Sequence, residues 1–321
     1  MKKDMVNLRE FMEKINTEGK SRPSVRYDEP MSRHTTFRVG GKADVWVRPG
    51  KDIFPGYSAK LLKAAREEGI PVFILGAGAN IVVSDRGIRG IVLDTGAFRG
   101  VGKIEDRKAG EGPTVPVLSG TPVDRLCFRL AERGLSGLEF LAGMPGSVGG
   151  AVWMNARCYE KSVSDRLIET EILNEDFERQ WITFGPEDFS YKKSPFQTRK
   201  VLILSVRFAV RFGESHGIHR EIKIYRQDRA EKGHYRFPSA GSAFKNNRDF
   251  GDPTGRIIDQ LGLRGLNIGR AQVAPWHGNI IINTGNAAAT DIRNLMDEVA
   301  RRVKEERGLD LESEILFVGE W

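Results

Sequence analysis

Cysteine is scarce in this chain. Cys127 and Cys158 are the two in 321 residues, too few for a disulfide framework, and neither lies in a CxxC or Cys/His spacing that would hold zinc. No run of about 18 apolar residues occurs, so no segment reads as a membrane span. The opening "MKKDMVNLREFMEKI" scatters acids and bases where a signal peptide would carry an apolar core. These absences point to a reducing, cytoplasmic setting without membrane insertion and without a bound metal. Charge of one sign is also not gathered anywhere: 50 Lys and Arg are interleaved with 43 Asp and Glu, for a net +7. That pattern reads as a solvated basic surface suited to anionic small molecules, in preference to a nucleic-acid face.

Glycine, by contrast, is abundant. There are 36 in the chain, about one residue in nine where about 7% is usual, and no Gly-x-y period or low-complexity tract accounts for them. They gather at 40–41, 76–78, 143–150 and 262–269, as loops that approach something closely would. The length suits two or three domains.

Between these loops the hydrophobic pattern is mixed. "ADVWVRP" (43–49) alternates like a strand, and "SAKLLKAAREEG" (58–69) predicts a helix capped by Ser58, apolar at Leu61, Leu62 and Ala65 and stopped by Gly69. "PVFILGAGAN" (71–80) reads as a buried strand entering a glycine turn, and "GIVLDT" (90–95) as another strand. "VPVLSG" (115–120), a helix over 122–134 and β-like runs at 167–173 and 201–210 follow. The clearest helix is 290–308, with Ile292, Leu295, Met296, Val299 and Val303 on one face, Thr290 as cap and Gly308 as stop. The strand-like "SEILFVG" (313–319) comes last, and the whole is mixed α/β with α+β character.

Two glycine loops carry ligand chemistry. "ILGAGAN" runs a strand into Gly-x-Gly, where main-chain N–H groups can face an anion. It is not the dinucleotide fingerprint, because the third glycine is absent and "IVV" (81–83) continues as strand. In "GMPGSVGGAVWMNA" (143–156), Gly143, Gly146, Gly149 and Gly150 leave bare backbone over eight residues, with Ser147 and Asn155 as polar groups beside it. Together the loops suggest one long cofactor. In "FPSAGSAFKNN" (237–247), Ser239 and Ser242 are either turn residues or proton donors.

In order along the chain, "TTFRVGGKADVWVRP", "ILGAGANIVVSDRGIRGIVL", "GLEFLAGMPGSVGGAVWMNA", "YKKSPFQ", "FPSAGSAFKN" and "IGRAQVAPWHGNIIIN" resemble the UDP-N-acetylenolpyruvoylglucosamine reductase family. The match spans residues about 33 to 319 and is jointly specific. The stretch between "YKKS" and "PSAGS" resembles the shorter family type, which lacks an extra tyrosine-bearing loop. The resemblance implies an FAD-binding region of two subdomains, of the vanillyl-alcohol-oxidase type, and a C-terminal α+β substrate domain. It also implies NADPH as co-substrate and a UDP-sugar as substrate, with no obligate protein partner evident. The expected divisions are a helical segment at 1–33, FAD subdomains at 34–95 and 96–212, and a substrate domain at 213–321.

By the same resemblance Gly76, Ala77, Gly78, Ala79 and Asn80, with Pro145, Gly146, Ser147, Gly149 and Gly150, cradle FAD. Ser242 matches the proton donor, with Ser239 left to turn chemistry. Glu314 matches the acidic catalytic residue, with Asp310 and Glu312 near enough to be confused with it. Tyr191, Lys232, Asn246 and Gln272 fall at substrate positions. Lys192 stands where arginine is usual, exchanging a bidentate fork for a mobile point charge on the substrate carboxylate. Ala79 replaces a serine of the diphosphate turn, and Arg157 and Cys158 replace small residues. The rivals are a flavin oxidase on the same scaffold and, from another class, a basic RNA-binding or structural protein.

Overall fold

The computed structural model describes residues 7–16, 22–106 and 112–321. Chain contacts divide it into two compact units, one of Met1–Tyr27, Val45–Ala77 and Gly90–Arg226, the other of Asp28–Asp44, Gly78–Arg89 and Gln227–Trp321.

In the first unit, Val45, Trp46 and Val47 are all buried, as a strand covered on both faces requires. They belong to the strand Lys42–Arg48, second in a four-stranded sheet ordered Ser24–Pro30, Lys42–Arg48, Ile88–Asp94, Val72–Leu75. The last two run parallel, Val72 opposite Ile91 and Leu75 opposite Asp94. Phe54, Leu61 and Ala65 of the helix Phe54–Glu67 pack on Val45, Val47, Ile91 and Leu93, together with Phe11, Met12 and Ile15 of the helix Leu8–Asn16. The buried Asp94 carboxylate accepts from Trp46 Nε1 at 3.1 Å and from Arg48 at 2.8 Å, so this charge is paired where desolvation would otherwise be costly.

The unit's five-stranded sheet is antiparallel, in the order Arg179–Ile182, Leu167–Leu173, Leu202–Ala209, Pro113–Leu118, Glu105–Asp106. The helices Val123–Ala131 and Val148–Trp153 bury Leu126, Cys127, Leu130, Val148 and Val152 in one core with Val115, Val117, Val206 and Phe208. Burial pushes the Cys127 thiol well above its ordinary pKa, so it serves as packing. Cys158 is half-buried against the same core.

In the second unit, the strands Ile81–Val83 and Leu316–Val318 pair in parallel. The short strands Asn267–Ile268, Ala271–Val273 and Ile281–Asn283 form an antiparallel sheet. On these pack the helix Thr254–Gln260 and the helix Ala289–Arg307, whose Ile292, Leu295, Met296, Val299 and Val303 are all buried as their spacing predicts. Gly308 closes that helix in the left-handed conformation. The fold is thus α+β, as expected. Among the described residues no helix is long and apolar enough to cross a membrane.

The expected divisions at 33/34, 95/96 and 212/213 are a different partition from this contact grouping, and three other expectations need correction. Residues 28–44 and 78–89 join the C-terminal residues because Ile81–Val83 pairs with Leu316–Val318 and Asn283 Nδ2 donates to Phe37 O at 2.9 Å. Ser58 caps nothing: the helix begins four residues earlier, near Pro55, and Ser58 is buried within it. Thr290 is not the cap of the last long helix either. Asp85, from the strand-end loop, accepts from the N–H of Ala289 at 2.8 Å, the N–H of Thr290 at 2.9 Å and the Thr290 hydroxyl at 2.7 Å. Finally, "SEILFVG" is strand only from 316, because Ser313 and Glu314 pair elsewhere.

Burial works to raise the Asp85 pKa, and those three hydrogen bonds outweigh it, leaving the pKa below its ordinary value. A depressed carboxyl adds stability above the unfolded value of about 3.9 and loses it as pH falls through the folded value. Asp85→Ala is therefore expected to cost about 1 kcal/mol at pH 7. In urea titrations the gap to the unmodified protein closes below about pH 4.

Candidate active site

In the first unit two glycine loops meet. A Cβ on Gly76 would come within 2.6 Å of Ser147 Oγ, and that oxygen accepts the N–H of Gly150 at the start of the helix Val148–Trp153. Any larger residue at 76 would push the hydroxyl off this cap. The main-chain N–H groups of Gly76, Ala77, Gly146 and Ser147 donate no hydrogen bond among the described residues. Such unspent donors on neighbouring turns are what a diphosphate demands. Ser119, 1% exposed, packs its Cβ and carbonyl oxygen against Gly149, and its Oγ has no hydrogen-bond partner among the described residues. The residues present therefore fit FAD.

The expected cradle residues do not all present donors. Gly149 N–H goes to Ser119 O at 2.8 Å and Gly150 N–H to Ser147 Oγ at 3.4 Å, so these two glycines serve close packing and the helix start. Pro145 is exposed on the loop and, as proline, has no N–H to offer.

The end of the same helix anchors the "YKKSPFQ" loop. Asn155 Nδ2 donates to Ser190 O at 2.9 Å, Ser194 Oγ to Trp153 O at 2.6 Å, and Gln197 Nε2 to Trp153 O and Lys192 O, each at 3.0 Å. Ser190 and Lys193 exchange main-chain bonds of 3.2 and 3.0 Å, which makes Tyr191 and Lys192 the two residues of a tight turn. Lys192 takes φ +58° there, and its ammonium lies 6.0 Å from the centre of the Tyr191 ring. Loop, helix and turn thus form one hydrogen-bonded frame within the unit.

In the second unit, Ser242 follows Gly241, which turns at φ +77°. The serine is half-buried, and its hydroxyl makes no hydrogen bond among the described residues. Its segment is held on both sides. On one side, Ser242 forms a bridge with Ile280, Ala243 N–H donates to Asn279 O at 2.8 Å, and the Asn279 side chain pairs with both main-chain groups of Phe244. On the other, Glu314 N–H donates to Ala243 O at 2.9 Å and Phe244 bridges to Ser313. Asn80 extends the arrangement, its Nδ2 donating to Glu314 O at 2.9 Å and its O accepting from Leu316 N–H at 3.1 Å. The N–H groups of Gly78, Ala79 and Asn80 are uncommitted in this unit.

The structure therefore brings Ser242, Glu314 and Asn80 onto adjoining segments. It also separates Glu314 from its neighbours: Glu314 is 9% exposed, while Asp310 and Glu312 are exposed and paired with Lys304 and Lys245. Lys232 bonds Asp228 at 2.7 Å, Asn246 Oδ1 accepts from Thr254 N–H at 2.9 Å, and Gln272 Nε2 donates to Gly265 O at 3.1 Å. Each of these three thus has an internal partner.

Sequence reasoning missed Asn279, although it lies inside the motif "APWHGNIIIN". It also missed the neighbouring histidines. His234 is held down at about pKa 4, chiefly by burial and then by Arg229, His277 and Lys232 against the opposing pull of Asp228. Burial likewise lowers His277. A neutral His277 suits its bond, since Nδ1 accepts the Asn279 N–H at 3.1 Å.

Residues 58–182 match the family described as "FAD binding domain". Residues 233–318 match "UDP-N-acetylenolpyruvoylglucosamine reductase, C-terminal domain". The UDP-N-acetylenolpyruvoylglucosamine reductase of Treponema denticola is 39% identical over 315 residues, covering 93% of this chain and 94% of that protein. The Bacillus subtilis reductase of the same name is 35% identical over 316 residues, covering 96% and 99%. A crystal structure of the Thermus caldophilus UDP-N-acetylenolpyruvylglucosamine reductase superposes with a TM-score of 0.72 at 34% identity, covering 92% of this chain and 99% of that one. With these matches running through both of its units, the chain belongs to the UDP-N-acetylenolpyruvoylglucosamine reductase family.

Proposed function

We propose that this chain is an FAD-dependent reductase of UDP-N-acetylenolpyruvoylglucosamine, forming UDP-N-acetylmuramate for peptidoglycan precursors with NADPH as the reductant, in the cytoplasm. The observation that carries the reading is the Ser242 segment: a half-buried hydroxyl with no partner among the described residues, on a strand fragment clamped from two sides beside Glu314.

When bound, FAD supplies the hydride chemistry, taking a hydride from NADPH and giving it to the enolpyruvyl double bond. The rest falls to the chain's own residues. Hydride on one carbon of an enol ether conjugated to a carboxylate leaves an electron pair on its neighbour, delocalised into the carboxylate. The Lys192 ammonium stabilises that charge at the carboxylate oxygens. Ser242 Oγ–H then gives its proton to the carbanionic carbon, so one hydride and one proton have added across the double bond. The serine regains a proton from solvent. A hydroxyl is a weak acid, but the carbanion is a strong base, so placement matters more than acidity. The tight turn at 190–193 holds Lys192 in place, and the fork of an arginine is what the site forgoes. Tyr191, Lys232, Asn246 and Gln272 are assigned to the nucleotide sugar, the last three by exchanging their present partners for substrate.

The class is tested by the absorbance spectrum of the purified protein. A flavin band that bleaches with NADPH and returns, without oxygen, on adding the enolpyruvyl nucleotide is expected. Rapid return with oxygen alone would favour an oxidase.

Ser242→Ala is expected to retain flavin reduction by NADPH while turnover of the nucleotide falls about 10²–10⁴-fold. Normal turnover would remove Ser242 from the mechanism.

Lys192→Arg is expected to lower KM or raise kcat, because a bidentate grip replaces a point charge. Steady-state kinetics read this directly, and a slower enzyme would show that the turn is shaped around lysine.

A further inference from the structure

Ser242 lies in no regular strand, and a serine side chain has a single rotatable bond with which to correct its aim. Where its oxygen goes is decided by the backbone of 241–244. Gly241 turns at φ +77° with open space where a Cβ would be, between Pro238, whose O accepts the Asn283 N–H at 2.9 Å, and the buried segment 243–244. Along one edge of residues 243–244 the hydrogen bonds come from a single residue.

We propose that Asn279 is a positioning residue for the Ser242 hydroxyl: its side-chain amide and main-chain carbonyl together hold residues 243–244 in register. This rests on the reading of Ser242 as proton donor. Asn279 Oδ1 accepts the N–H of Phe244 at 2.9 Å, Nδ2 donates to Phe244 O at 2.8 Å, and Asn279 O accepts the N–H of Ala243 at 2.8 Å. The side chain thus replaces the missing strand neighbour, offering one donor and one acceptor to the same residue. Asn279 is itself fixed, its N–H bonded to His277 Nδ1 at 3.1 Å, and at 2% exposure no solvent substitutes for its bonds.

The chemistry is narrow. Aspartate has the same shape but two acceptors, and would set a carboxylate oxygen against the Phe244 carbonyl. Serine is too short to reach both groups, and glutamine is a methylene too long for a packed site. Misplacing a catalytic group by about 1 Å costs up to about 10²-fold, so a lost register should appear as a slower proton-transfer step without loss of cofactor.

The test is Asn279→Asp, studied as purified flavoprotein. Expected are an unchanged flavin spectrum, unchanged flavin reduction by NADPH, and kcat for the nucleotide lower by about 10- to 100-fold, with KM within about threefold. Hydrogen exchange, measured without substrate or NADPH, should be faster at the amides of Ala243 and Phe244. The double variant Ser242→Ala/Asn279→Asp should be no slower than Ser242→Ala alone, because a positioning effect vanishes with the group it positions.

Unchanged kcat in Asn279→Asp, an equal loss in flavin reduction, or multiplying losses in the double variant would overturn the proposal. Normal turnover in Ser242→Ala would sink the donor assignment itself, whereas a slow Ser242→Ala beside a normal Asn279→Asp would sink the positioning role alone. If Asn279→Asp does not fold, Asn279→Ser, which introduces no charge, is read by the same measurements.

Discussion

The pairing of Ala243 with two neighbours at once, its N–H to Asn279 O and its C=O to Glu314 N–H, is the contact on which the second unit's chemistry depends. A strand fragment gripped along both edges has little freedom to shift its register, so a short side chain on it inherits a defined position. Asn80 passes the constraint onward through Glu314 to the start of Ile81–Val83. Polar groups far apart in sequence thereby share one hydrogen-bonded frame, in which main-chain pairs are tied together by the side-chain amides of Asn279 and Asn80. The main-chain pairs ask little of residue type, since every residue except proline supplies the same N–H and C=O, whereas the two amides are specific.

The first unit follows the opposite logic. There the notable groups are those the chain leaves unspent: the N–H groups of Gly76, Ala77, Gly146 and Ser147, and the hydroxyl of Ser119. Ala77 is exposed and Gly76 and Gly146 are half-buried, so these donors are open to an incoming group, and an anionic ligand that takes them up stabilises the folded chain by binding it. The neighbouring Gly149 and Gly150 show the contrast: same loop, same residue type, but donors consumed at the head of a helix. Bare backbone alone does not mark a ligand wall; uncommitted backbone does.

Much of this could be read from residues in order. The helix over 290–308 announced itself by an apolar stripe and a terminal glycine, and "IVV" after the glycine turn is strand. The two glycine loops and the Ser242 motif were visible by composition and resemblance. What escaped depends on contacts across long sequence separations. Asp85 caps a helix more than two hundred residues away, and no local pattern distinguishes it from a loop acid. The helix Ser215–Glu231 went unread because Ile218 and Ile222 are its buried residues while Ile224 is exposed, too thin a stripe to register as periodic. Asn279 looked like one more polar residue beside a glycine, since the two-way use of its amide exists only once the chain has folded. Ser58 misled in the reverse sense: a good capping residue was enclosed in the helix interior because Phe54 and Pro55 began the helix first.

The parallel pairing of Ile81–Val83 with Leu316–Val318 has a consequence for how the polypeptide matures on the ribosome. At roughly 5–20 residues per second, residue 318 emerges on the order of tens of seconds after residue 83, and throughout that interval an apolar three-residue edge waits without its mate. Phe37, whose carbonyl accepts from Asn283 Nδ2, waits as well. The nascent chain thus carries an early segment whose mate is made last, while sheets drawn from residues before 226 already have all their strands.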